Sequence, residues 1–171
     1  MENGQDLSLC EEILWLSAYE GSNPFARTVF NKMNKDNFRL AVKALIVQNG
    51  KVLLIKRSSH DSHKPGVWEF PGGRLEPGED PLKGLIREVK EEVGLNISVL
   101  NPLTVASFTR DDGQKISMIT FLCTPKTEKI KLGEEHTDAE WLGLKKAYSQ
   151  IYPAFREEIV LYKKYFRRFI N

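Results

Sequence analysis

The chain has 171 residues, 41% of them hydrophobic and 28% charged, which is the composition of one globular domain with a substantial core. Its 25 Lys and Arg residues against 23 Asp and Glu residues leave a formal net charge of +2, too small for a protein held to nucleic acid by its whole surface. The two cysteines, Cys10 and Cys123, form no zinc-binding spacing and imply no disulfide scaffold. We therefore expect the function to reside in a local site.

The sequence contains no apolar stretch long enough to span a bilayer. Its first residues lack the basic and then apolar pattern of a secretory signal. We expect a soluble, cytoplasmic protein that does not bind membranes.

The N-terminal segment has a helical pattern. Residues 7–19 place apolar side chains on one helical face, and a second short helix is predicted over residues 25–33. Residues 1–37 are therefore predicted to form a helical extension. It could cover a sheet, overhang a pocket or mediate a homodimer.

From residue 38 onward the pattern becomes that of a mixed α/β domain, predicted to span residues 38–171. Residues 39–47 and 52–55 are rich in β-formers, and Asn49-Gly50 between them predicts a two-residue hairpin turn. Further strands are predicted at residues 67–70, 97–108, 116–123 and 140–142, and helices at residues 81–93 and 154–169. This order predicts an α/β sandwich with a mixed sheet.

The helix predicted at residues 81–93 has an apolar and an acidic side. At about 100° per residue, the predicted buried stripe consists of Leu82, Ile86, Val89 and Val93. Glu88, Glu91 and Glu92 fall in a band opposite this stripe. Three carboxylates so close together repel one another unless a cation lies among them, and their hard oxygens suit Mg²⁺ or Mn²⁺ rather than zinc. The alternative is a set of ordinary solvated glutamates.

A glycine-rich loop precedes this helix. Gly72, Gly73 and Gly78 allow tight turns, so the backbone can approach a phosphate or a metal closely. Glu79 stands just before the helix. A loop of this kind beside an acidic helix face is what diphosphate chemistry requires.

The segment from Gly73 to Leu95 resembles the Nudix box at every defined position: Gly73, five residues, Glu79, seven residues, then the sequence REVKEEVGL. The flanking strands extend the resemblance from Arg39 to the C-terminus and leave the first 37 residues outside it. The resemblance implies a Nudix-type α/β/α sandwich. It also implies hydrolysis of a nucleoside diphosphate linked to another group.

The resemblance implies roles for individual residues of the box. Glu88, Glu91 and Glu92 would hold a divalent metal ion, Mg²⁺ or Mn²⁺. The backbone carbonyl of Gly72 would assist them. Arg87 would pair with neighbouring acids and so fix the helix against the loop.

Two glutamates are candidates for the general base, and a third has a supporting role. Glu88 is the first candidate. Glu135 is the second, because residues 134–141 resemble the loop that delivers a further metal-binding or basic glutamate in the family. Glu79 would support the same geometry as Arg87.

The substrate is less defined by the sequence. Residues 68–73 resemble the strand that leads into the box in MutT-type enzymes, which hydrolyse oxidised guanine nucleoside triphosphates. By this resemblance four residues are predicted to bind the nucleotide: Arg57, Glu69, Phe70 and Phe155. Phe155 stands where those enzymes carry an asparagine that reads the base, which argues against selectivity for oxidised purines.

The leading prediction is a (deoxy)nucleoside triphosphate pyrophosphohydrolase that releases a monophosphate and diphosphate. The alternative enzyme is an ADP-ribose or nucleotide-sugar pyrophosphatase. A third reading, a non-catalytic nucleotide-binding regulator, is disfavoured because all the box acids are present. The expected partner is a small nucleotide, and the basic last helix is not expected to bind nucleic acid.

Overall fold

The computed structural model of the protein describes residues 38–61, 64–127 and 129–168, so the predicted helical extension lies outside the described residues. The strands are β1 (Phe38–Gln48), β2 (Lys51–Arg57), β3 (Trp68–Glu69), β4 (Ile97–Thr109), β5 (Lys115–Pro125) and β6 (His136–Gly143). The helices are α1 (Pro81–Val93), α2 (Leu144–Gln150) and α3 (Arg156–Leu161), with a 3₁₀ turn at Pro153–Phe155 and a π-helical turn at Tyr162–Phe166. None of the helices in these ranges is both long and apolar enough to cross a bilayer.

The strands form a mixed sheet in the order β3-β2-β1-β5-β4, with β6 paired to β2. β1 and β5 are parallel, and the other strand pairs are antiparallel. The predicted hairpin is confirmed: Asn49 and Gly50 have φ angles of 49° and 70°, as a type I′ turn requires. β1 and β2 then diverge, since only two residue pairs next to the turn are in register.

Alternation along β1 builds two cores, one on each face of the sheet. Val42, Ala44 and Ile46 pack with the apolar side chains of α1, in what we call the α1-side core. Ala41 and Leu45 face the other way and pack with residues of α2 and α3, in the C-terminal core. The predicted α/β/α layering is therefore confirmed.

Helix α1 begins and ends at the residues that the sequence predicts. The Asp80 carboxylate accepts hydrogen bonds of 3.0 Å from the backbone N–H groups of Leu82 and Lys83, which caps the first turn. Pro81 occupies the first turn, and Gly94 ends the helix with a φ angle of 69°.

The buried face of α1 differs from the predicted stripe. Leu82 and Ile86 are 45% and 43% exposed, whereas Leu85 is fully buried. The buried face is thus rotated towards Leu85, and it includes Glu92, which the angular count placed on the opposite side. Helical periodicity cannot predict the burial of Glu92, because it assigns only apolar side chains to the buried face. Glu92 is buried by a hydrogen bond to the loop before α1.

The C-terminal region also differs from the prediction. The single helix predicted over residues 154–169 is wrong, because a 3₁₀ turn, α3 and a π-helical turn follow one another there. Helix α2 was not predicted, and β6 is longer than the predicted strand at residues 140–142. Ile151 forms a bridge to Trp68, which draws the chain back to the sheet between the two helices.

The loop after β3 fills the gap where β1 and β2 diverge. The backbone N–H groups of Val42 and Ala44 donate to the carbonyls of Gly73 (2.9 Å) and Pro71 (2.7 Å). Gly72 between them has a φ angle of 123°, and a Cβ added there would lie 2.3 Å from the carbonyl oxygen of Val42. Only glycine fits this position, so the loop is fixed against β1.

Gly72→Ala is expected to lower the free energy of unfolding by about 3 kcal/mol, from backbone strain and from overpacking against β1. Gly78→Ala is the matched control: Gly78 has a φ angle of 78° but no heavy atom lies within 4 Å of the added Cβ. It should lose only about 1–2 kcal/mol from backbone strain alone. Urea denaturation of the two variants measures the difference, and equal losses would contradict the proposed close contact.

Candidate active site

The guanidinium of Arg87 pairs with three carboxylates of the loop and of α1. Arg87 Nε and Nη2 donate to the two carboxylate oxygens of Glu79, both at 2.8 Å. Arg87 Nη1 donates to Glu88 Oε1 at 2.9 Å and to Glu91 Oε2 at 3.1 Å. This bidentate and branched pairing ties the loop to the outer face of α1.

The pairing changes the ionisation of both partners. The hydrogen bonds from Arg87 lower the pKa of Glu79 to about 2. Glu79, and then Glu88, raise the pKa of Arg87 above its already high ordinary value. Both groups are therefore charged over the physiological pH range.

Two glycines allow the helix and the loop to approach each other. A Cβ on Gly73 would lie 2.4 Å from Glu88 Oε2, so the Glu88 carboxylate rests directly on this backbone. A Cβ on Gly84 of α1 would lie 2.9 Å from Glu79 Oε2. Side chains at these positions would displace Glu88 and Glu79, two of the three carboxylates that Arg87 holds.

Glu92 lies deeper than the other acids of α1. Its Oε2 accepts a 2.6 Å hydrogen bond from the backbone N–H of Gly72, and its side chain is only 10% exposed. Burial raises the pKa of Glu92 to about 7, although nearby Lys43 and His136 and the Gly72 N–H oppose this rise. The structure thus separates an inner carboxylate from the outer ones at Glu88 and Glu91.

A second buried carboxylate, Glu69, lies between two cations. Lys43 Nζ is 3.2 Å from Glu69 Oε2, and Arg57 Nη1 donates to Glu69 Oε1 at 2.8 Å. Burial opposes ionisation of Glu69, but Lys43, the nearby His136 and Arg57 together outweigh it and hold its pKa well below the ordinary value. Arg57 also pairs with Asp61, so its guanidinium is held from two sides.

Sequence reasoning missed Lys43 and His136. Lys43 Nζ also donates to the carbonyl of Gly72 at 2.5 Å. The signal was present, because Lys43 interrupts an otherwise apolar run in a predicted strand. His136 is buried with Nε2 3.7 Å from Glu92 Oε1, and within the described parts of the chain neither ring nitrogen has a hydrogen-bond partner.

The remaining predicted site residues are more dispersed. Glu135 is exposed, and its carbonyl accepts a 2.9 Å hydrogen bond from the N–H of Ser58, which holds its loop next to the end of β2. Phe70 and Phe155 lie in the C-terminal core with their rings edge to face at 5.6 Å. Both rings are buried, so their predicted contact with a nucleotide stays a prediction.

The donor set fits a hard divalent cation. Glu88, Glu91 and Glu92 offer carboxylate oxygens and Gly72 offers a carbonyl oxygen, and all of these are hard donors. Over the described ranges of the chain, no three His, Cys, Asp or Glu side chains already converge as a cage. Instead, Arg87 donates to the carboxylates of Glu88 and Glu91 on the outer face of α1. Lys43 donates to the buried carbonyl of Gly72.

Comparisons with known proteins agree with this site. The sequence model of the NUDIX domain matches residues 37–165. The CTP pyrophosphohydrolase of Escherichia coli is 32% identical over 120 residues, covering 70% of this chain and 85% of that protein. An E. coli nucleoside triphosphatase NudI is 36% identical over 115 residues, covering 61% and 81%.

The fold has solved counterparts as well. The crystal structure of a MutT protein from Methanosarcina mazei matches with a TM-score of 0.68 and 27% identity, covering 76% of this chain and 96% of that one. The domain match covers most of the chain, and the acids of the box surround Arg87 as described above. The chain therefore belongs to the NUDIX family of hydrolases, of the MutT-like type.

Proposed function

We propose that this enzyme hydrolyses a (deoxy)nucleoside triphosphate to a monophosphate and diphosphate, with a divalent cation as cofactor. The observation that carries the proposal is the intact set of box acids, held by Arg87 on the outside and by the Gly72 N–H on the inside. The relatives named for CTP and for nucleoside triphosphates support this substrate class.

Metal ligation is proposed for the carboxylates of Glu88, Glu91 and Glu92, with Mg²⁺ or Mn²⁺ as the ion. Glu135 is a further proposed ligand, on the exposed loop before β6. A bound divalent ion supplies charge neutralisation for the diphosphate and lowers the pKa of a water molecule. The carbonyl of Gly72, which the family resemblance adds to this set, here accepts a hydrogen bond from Lys43.

The protein's own groups position the reaction. Arg87 Nη1 donates to Glu88 and Glu91, so both carboxylates are oriented before substrate binds. Glu88 is the first proposed general base, since its carboxylate rests on Gly73 at the inner edge of the loop. Glu135 is the second. Glu79 holds Arg87 and acts as a positioning residue.

The nucleoside end of the substrate is proposed to bind near Arg57 and Glu69. Their ion pair lies at the end of β2, where Arg57 is 23% exposed. Phe70 and Phe155 lie beneath as a packed pair, and we propose that they shape this end of the pocket. An ADP-ribose or nucleotide-sugar pyrophosphatase stays the alternative enzyme.

Residues 1–37 and 38–171 are proposed as a helical extension and a catalytic domain. A homodimer formed through the extension is also a proposal. Size-exclusion chromatography of the full chain and of a chain that starts at residue 37 tests whether the extension mediates a homodimer.

Glu91→Gln is expected to lower kcat/KM for triphosphate hydrolysis by roughly 100-fold or more, because it removes a fixed charge that faces the phosphates. Glu76→Gln is the matched control, an exposed loop acid outside the Arg87 cluster, and should retain wild-type activity. Diphosphate release is measured over a panel of canonical and oxidised triphosphates, ADP-ribose, nucleotide sugars and dinucleoside polyphosphates with Mg²⁺ and Mn²⁺.

Three results of this panel separate the candidates. Metal-dependent triphosphate hydrolysis that is lost in Glu91→Gln and in EDTA supports the proposal. Turnover of ADP-ribose with inert triphosphates would replace it with the alternative enzyme. The non-catalytic reading requires that the wild type hydrolyse nothing on the panel.

If Glu135, the second candidate, is the general base instead of Glu88, Glu135→Gln is expected to reduce kcat by roughly 10²–10⁴-fold, the range for loss of a general base. The neighbouring Glu134 is equally exposed, and Glu134→Gln is expected to have wild-type kinetics. Both variants should melt at the wild-type temperature, since neither side chain is buried. Similar kinetics in the two variants would remove Glu135 from the proposed site.

A further inference from the structure

We propose that Gly133 is a positioning residue, which lets the loop before β6 dock on the last turn of α1 and so holds Glu135 beside the acids of that helix. We call residues 131–135 the Glu135 loop. The inference rests on the proposed function, in which Glu135 is a metal ligand and the second candidate for the general base. Gly133 itself lies outside the box.

The end of α1 is joined to the Glu135 loop by backbone hydrogen bonds. The last carbonyl groups of a helix have no partner within the helix itself. Here the N–H of Lys131 donates to the carbonyl of Val93 at 2.9 Å, and the N–H of Gly133 donates to the carbonyl of Glu92 at 2.8 Å. The loop therefore satisfies two carbonyl groups at the helix end, one of them on a residue whose side chain is a proposed metal ligand.

Two glycines, one on each side of this contact, allow the two backbones to approach each other. A Cβ added to Gly133 would lie 2.7 Å from the carbonyl oxygen of Glu91, and a Cβ added to Gly94 would lie 3.0 Å from the Cβ of Lys131. The Glu91 carbonyl belongs to the helix backbone, so it cannot move aside as the end of a flexible side chain can. A side chain at position 133 must therefore push the loop away from α1.

Glu135 lies between two points that are fixed relative to α1. Gly133, two residues earlier, is bonded to the backbone of Glu92. On the other side, the carbonyl of Glu135 accepts a 2.9 Å hydrogen bond from Ser58, and the buried ring of His136 has Nε2 3.7 Å from Glu92 Oε1. The Glu135 side chain is exposed, so the backbone on both sides of it determines where its carboxylate lies. A shift at Gly133 is therefore transmitted to Glu135.

The first experiment compares Gly133→Ala with the matched control Gly143→Ala. Neither glycine has a positive φ angle, so alanine causes no backbone strain at either position, and no heavy atom lies within 4 Å of a Cβ on Gly143. Gly133→Ala is expected to lower kcat for triphosphate hydrolysis by about 10-fold to 100-fold, the loss that a displacement of about 1 Å causes in a catalytic group. Gly143→Ala should keep the wild-type kcat. A wild-type kcat in folded Gly133→Ala would overturn the proposal.

A double-mutant cycle separates a positioning role from a merely structural one. If Gly133 acts through Glu135, adding Gly133→Ala to Glu135→Gln should change kcat by less than about twofold. A structural role would lower kcat by the same factor with and without Glu135→Gln, and that result would overturn the proposal.

A further measurement does not depend on activity. Mn²⁺ bound at the acids of α1 broadens the NMR signals of nearby amide groups, and the effect falls steeply with distance. The amide signal of Glu135 should be broadened in the wild type and in Gly143→Ala. Gly133→Ala should lose this broadening, whereas the amide of Gly73 beside Glu88 should keep it. Equal broadening of the Glu135 signal in all three proteins would contradict the positioning role.

The wild type alone also tests the contact. The amide hydrogens of Lys131 and Gly133 should be protected from exchange with solvent, because both are bonded to the end of α1. Rapid exchange of both would show that the loop is not docked and would overturn the proposal. Absence of triphosphate hydrolysis by the wild type, with these amides protected and the Mn²⁺ effect as expected, would instead refute the proposed function and leave the placement of Glu135 by Gly133 intact.

Discussion

The close approach of Gly72 to β1 is the constraint on which the rest of the site depends. No side chain fits between this glycine and the carbonyl of Val42, so the loop lies against the strand as a further hydrogen-bonded segment. Its peptide groups then face Glu92 on one side and Lys43 on the other. A single backbone position thereby joins a helix, a loop and a strand that are distant in the sequence.

The charged groups are arranged in two layers around this point. Arg87 holds the outer acids, whereas Lys43 and Arg57 hold the buried Glu69. Buried ion pairs add little net stability because desolvation offsets the attraction, but removal of one partner leaves a costly unpaired charge. The inner layer therefore defines the geometry of the site more than it stabilises the fold.

The sequence predicts those parts of the molecule in which local chemistry decides the structure. Asn49-Gly50 dictates its own turn, and Asp80, Pro81 and Gly94 determine the ends of α1. The acids of the box could be located by their spacing and by the family resemblance. Their grouping around one arginine depends on the fold of the loop.

Other features depend on contacts between distant segments. The burial of Glu92 follows from its bond to Gly72, which lies 20 residues earlier, and Lys43 is paired with groups 26 and 29 residues away, as the positions of Glu69 and Gly72 show. The amphipathic sequence of residues 154–169 predicts one continuous C-terminal helix. The bridge from Ile151 to Trp68 and the turn at Pro153–Phe155 interrupt it, and neither is visible in local periodicity.

The two layers also explain how a chain with a net charge of only +2 could handle a polyanionic substrate. The buried Glu69 lies between Lys43 and Arg57, so its charge contributes little repulsion to an approaching triphosphate. The outer acids are more exposed, with the Glu91 side chain 60% accessible, and within the described ranges Arg87 is the cation paired with their three negative charges. A divalent ion bound at these acids would neutralise this charge, and a surface that repels a triphosphate would then accept its phosphates.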